Sequence, residues 1–92
     1  MGFTQEEITD FEVAVETIGQ LMALYIKQRR DEKNKKRPNQ DVIDDLNQEI
    51  SRLFQERNDL IIPERAKIAR IRLSYGAAVR ALRAEMLQKE AA

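Results

Sequence analysis

DVIDDLNQEISRLFQERNDLI, residues 41–61, decides the fold. Its apolar residues fall at Ile43, Leu46, Ile50, Leu53 and Leu60, with Arg57 at the one missing step. Steps that alternate three and four make the seam of a helix that packs lengthwise along another helix. Phe54 and Ile61 are expected to widen that seam into a stripe facing the core. Such a rod needs partners, and the chain on either side supplies them.

Upstream, Thr4 and Glu7 have the spacing of a capping box, and Phe3 and Ile8 that of a hydrophobic staple. A helix should therefore begin at Thr4. Ile8, Phe11, Val15, Ile18, Met22 and Tyr25 then step by three and four without a miss, and Ala14, Leu21 and Ile26 broaden the stripe. The helix ends in KQRRDEKNKKR, residues 27–37. Pro38 steers Arg37 away from helical backbone. Asn39 is placed to cap a new helix, whose positive end suits Asp41, Asp44 and Asp45. A short turn there sends the second helix back antiparallel along the first.

Downstream, LIIPERAK has no glycine, only Pro63, which suits the first turn of a new helix or a kink in an old one. At about 100° per residue, the stripe of Ile43, Ile50 and Ile61 continues nearly in register into Ile68, Ile71, Tyr75, Val79, Leu82 and Met86. That phase slightly favours one long kinked rod over a sharp antiparallel turn. Ala66, Leu73, Ala77, Ala81 and Ala84 form a second face well away from this stripe. Either small residues admit another backbone there, or alanine is simply the best helix former. Gly76, costing roughly 1 kcal/mol in mid-helix, weighs towards a close contact.

The expected fold is all-α, a long antiparallel helical hairpin plus a third helix, with coiled-coil-like packing. All 92 residues are expected to form one domain. Helix 1 is expected over about 4–34, a basic turn over about 35–39, helix 2 over about 40–61 and helix 3 over about 63–90. Long helices bury little core for their surface, so an elongated homodimer is expected.

Composition narrows the chemistry. The chain has neither cysteine nor histidine. That removes disulfides, thiolate chemistry, the commonest metal ligand and the usual general base near neutral pH. No phosphate-cradling glycine loop or calcium-loop spacing occurs, so no cofactor, metal or catalytic set is expected. The longest apolar run, LMALYI at residues 21–26, is far short of the ~20 residues that cross a bilayer. The amino-terminal stretch lacks the basic, apolar and small-residue order of a signal peptide. A cytoplasmic setting without membrane contact is expected.

Net charge is zero, but it is blocked. Residues 1–26 hold five acids and no bases; residues 27–37 hold seven bases and two acids. Residues 38–61 hold six acids and two bases; residues 62–92 hold seven bases and three acids. Lys27, Arg29, Arg30, Lys33, Lys35, Lys36 and Arg37 are candidates for phosphate contact, or cations placed where a helix end is negative. No aromatic interleaves them, which argues against a stacking platform for single strands. Arg65, Arg72, Arg80 and Arg83 make one stripe on helix 3. It suits an acidic partner, or it faces the acids of helix 1 within the fold or across a dimer. Arg57 in the seam either lays its stem on apolar neighbours or pairs with Glu12 or Glu16, acting as a polar residue that sets register.

Residues 43–57, IDDLNQEISRLFQER, resemble the first helix of AroQ-type chorismate mutases, small helical dimers that bind a dicarboxylate with arginines and a lysine. The resemblance would place Arg57 and Lys67 near family residues. Gln40, however, stands where the opening arginine belongs, and too little chain follows to supply the remaining helices. The family is not assigned. The expected function is a non-enzymatic interaction module, a small oligomeric adaptor, chaperone-like binder or inhibitor of another protein. A nucleic-acid-associated role is the alternative, without a recognisable helix-turn-helix behind it.

Overall fold

The computed structural model describes residues 2–91 as three helices, with no strand among them. They are α1 (Gln5–Lys33), α2 (Gln40–Asp59) and α3 (Arg65–Ala91). The capping box at the start of α1 is formed. Thr4 Oγ1 accepts from the Glu7 amide at 3.1 Å, and Glu7 Oε1 accepts from the Thr4 amide at 3.2 Å. Asn39 caps α2, its Oδ1 accepting from the amides of Asp41 and Val42.

α1 is the central element: both other helices pack on it, and α2 and α3 approach each other only through long side chains. Arg29 bonds Asn47, and Gly19 lies against Arg57, so residue numbers fall along α2 as they rise along α1. Asp10 pairs with Arg72, while Lys27 and Asp31 share a groove with Glu85 and Lys89, so numbers rise together along α1 and α3. The Cα extents of 57 × 27 × 15 Å describe a thin, three-helix-wide layer. Its radius of gyration is 15.6 Å, against about 12 Å for a compact chain of this length.

Two expectations fail here for one reason. α3 does not prolong α2 as a kinked rod but packs beside α1. The break comes at residues 60–64. Leu60 is extended, Ile62 is constrained by Pro63, and the Glu64 carboxylate accepts from the Ile61 amide at 3.0 Å. The near-continuity of phase carried no information about direction. Phe54 and Ile61, expected on the core stripe, are 48% and 57% exposed. α2 touches one helix rather than two, so its buried strip is narrow, centred on Ile43 and Leu53.

α1 shows the converse. Its best-buried residues are Ala14, Ile18, Leu21 and Met22, while Phe11, Val15 and Tyr25 are half-buried. A helix with neighbours on two sides needs a wide stripe, so Ala14 and Leu21, which seemed only to broaden it, occupy its centre, while Ile26, expected beside them, is 40% exposed. Ile18, Leu21, Leu53 and Ile71 are the largest fully buried side chains. Each contributes about 1.5–3 kcal/mol of apolar stabilisation.

Candidate interaction surfaces

A polar bridge joins α2 to α3 across α1. Tyr75 Oη donates to Glu56 Oε1 at 2.5 Å, and Arg70 Nη2 donates to Glu56 Oε2 at 2.8 Å. Arg52 donates to Tyr75 Oη at 2.9 Å and to Glu49 at 2.8 Å. The guanidinium carbons of Arg52 and Arg70 stand 5.9 and 5.7 Å from the centre of the Tyr75 ring. Burial alone would raise the Glu56 carboxyl; the Tyr75 hydroxyl and Arg70 outweigh it and hold the group below the ordinary range. Local spacing exposes only the Arg52 pairs with Glu49 and Glu56. Tyr75 and Arg70 enter through packing that no single-helix pattern encodes.

A second carboxylate organises the α1–α2 turn. Glu32 is buried, accepting from the Asn39 amide at 3.0 Å and from Lys35 Nζ at 2.9 Å. The amide first, then the lysine, hold its carboxyl below the usual value. Part of the basic tract is therefore structural. Lys35 serves Glu32, Lys27 pairs with Asp31 at 3.1 Å, and Arg29 donates to Asn47 at 2.8 Å. Arg30, Lys33, Lys36 and Arg37 are exposed and have no carboxylate partner among the described residues.

The arginine stripe of α3 divides in the same way. Arg72 meets Asp10 on α1 at 2.7 Å, and Arg65 adds a minor lowering of Glu7, whose main partner is Thr4. Arg80 and Arg83 have no carboxylate partner among the described residues. With Arg72 they border a groove of about 290 Å³ between α1 and α3, floored by Val13, Thr17, Gly76 and Val79. At Gly76 the nearest atom to an added Cβ is Arg80 Nη1, 3.4 Å away. The close contact expected at this glycine is thus with its own helix's arginine, not with another backbone.

Arg57 pairs with neither Glu12 nor Glu16. Its guanidinium stands 5.6 Å from the Phe54 ring centre and reaches over Gly19 of α1. A groove of about 420 Å³ lies between α2 and the end of α3, with Val42 and Leu46 on one side and Met86 on the other. On the far side of α3, Ala66, Leu73, Ala77, Ala81 and Ala84 are all exposed, with Leu73 at 74%. Among the described residues no group of acids could hold a metal ion, and no helix is long and apolar enough to cross a membrane.

Compared with protein-family models, curated proteins and solved structures, the chain has no significant match.

Proposed function

We propose that the chain is a non-enzymatic helical interaction module, a small adaptor, chaperone-like binder or inhibitor that docks a helix face on another protein. On this reading α1 and α2 form a long antiparallel hairpin with coiled-coil-like packing, and two copies make an elongated homodimer in a cytoplasmic setting. One observation supports it above the rest: α3 holds Leu73 and Leu87 out in water on the same helix as the unpaired Arg80 and Arg83. Large apolar side chains exposed beside arginines are what an association surface offers. The arginines would select an acidic partner and speed its approach.

The second reading is a nucleic-acid-associated protein. Arg30, Lys33, Lys36 and Arg37, exposed without carboxylate partners around one turn, favour it. Titrating labelled duplex DNA across a salt series separates the two. Binding at low salt that falls steeply as salt rises supports the second reading. No binding at low salt, together with self-association by light scattering, supports the module.

A further inference from the structure

The outer face of α3 carries a three-and-four spacing of its own. Ala66, Leu73, Ala77, Ala84, Leu87 and Ala91 lie on it, with Arg70 and Arg80 filling the two remaining steps. All eight residues are exposed, the leucines at 74% and 66%. This row lies about half a turn round the helix from the buried Ile68, Ile71 and Val79. A helix with one seam buried and a second in water lacks a neighbour.

We propose that the neighbour is a second copy of this chain, with α3 packed antiparallel on α3. The inference rests on the homodimer reading above and names its face and direction. Charge decides the direction. A parallel, in-register pair would set Arg80, which has no carboxylate partner among the described residues, against Arg80 at the seam, like against like; Arg70 is already paired with Glu56. Reversal places Glu90 beside Arg65 of the other copy on one flank of the seam, and on the other brings Glu85 level with Arg70, which already holds Glu56 of its own chain. Each pair lies equally far either side of the midpoint between residues 77 and 78, so one register serves both, twice over by symmetry. Glu85, Glu90 and Arg65 have no ion-pair partner within the described chain. The midpoint coincides with Ala77, whose small side chain lets two backbones close. In this register Leu73 falls between Arg80 and Ala84 of the other copy, and Leu87 between Ala66 and Arg70. Because α3 lies at one edge of the thin layer, its outer face is open to such a partner.

The 27 residues of α3 span about 40 Å, and a single helix seam of that length falls at the small end of specific interfaces. The dimer should therefore be reversible and concentration-dependent.

The absence of native cysteine makes cross-linking a direct test. Ala77→Cys should form a disulfide-linked dimer on mild oxidation, since its two copies meet at the twofold axis. Leu87→Cys should not, because its copies stand about 28 Å apart in the antiparallel register. Sedimentation should show Leu73→Glu with Leu87→Glu weakening association by about tenfold or more, with helicity by circular dichroism unchanged. Equal cross-linking at both positions would overturn the direction. A wild-type dimer that ignores the two glutamates would overturn the face while leaving the homodimer reading standing. A wild-type chain that stays monomeric at its highest soluble concentration would overturn both.

Discussion

The hydroxyl of Tyr75 on α3 donates to the carboxylate of Glu56 on α2, spanning a gap that the two helix backbones leave open. This contact gives the edges of the layer a direct link that does not pass through α1. Tyr75→Phe keeps the ring and its packing but leaves Glu56 and Arg52 each short of one partner. A loss of about 1 kcal/mol is expected in urea denaturation. A variant as stable as its parent would mean that the bridge holds nothing.

Stability should fall on acidification and stay level between about pH 5 and 8. Glu56 is held low by Tyr75 and Arg70 against its own burial, Glu7 by the Thr4 amide and hydroxyl, and Glu32 by the Asn39 amide and Lys35. A carboxyl whose folded pKa is depressed contributes stability above its unfolded pKa, and loses it as pH falls through the folded value. The chain has no histidine, so its side chains add no change between about pH 5 and 8. The thermal midpoint should be level across that range and drop below about pH 4.5. Glu56→Gln should make the acid drop shallower, and an equally steep drop would remove Glu56 from the account.

What could be read from sequence was whatever depends on near neighbours. Thr4 with Glu7, and Asn39 with the amides after it, are fixed by spacings of two and three residues, and both caps form. The length and amphipathic seam of each helix are of the same kind. Misreading began wherever a residue's role depends on how many helices surround it. Phe54 continues the α2 pattern, yet only one helix lies alongside, so it faces water. Ala14 looks incidental in α1, yet it is fully buried because neighbours close in from two sides. The turn at Pro63 is set by Glu64 reaching back to Ile61, a contact as local as the others but without the serine or threonine that usually marks a cap.

Gly19 and Gly76 are sites where stability can be gained. An added Cβ would meet only Arg57 Nη1 at 3.6 Å and Arg80 Nη1 at 3.4 Å, both ends of flexible side chains. Neither glycine has positive φ. Each Gly→Ala change should therefore recover most of the roughly 0.5–1 kcal/mol that a mid-helix glycine costs. Together they should raise the thermal midpoint by several degrees. A loss of stability at Gly19 would show that Arg57 cannot shift aside.

Arg57 is the sharper test of how the seam works. It occupies a step where leucine or isoleucine would continue the pattern, and it has no carboxylate partner among the described residues; its contacts are the Phe54 ring and the space above Gly19. Arg57→Leu therefore leaves no opposite charge orphaned. It gives up a cation–π contact of about 0.5–1 kcal/mol and gains apolar burial of similar or larger size. Equal or higher stability in urea is expected, with the oligomeric state unchanged. Arg70→Leu makes the contrast, because it strips Glu56 of its closest cation and should cost more than about 1 kcal/mol. If Arg57→Leu instead destabilises the chain or changes its oligomeric state, Arg57 sets the register of the seam after all.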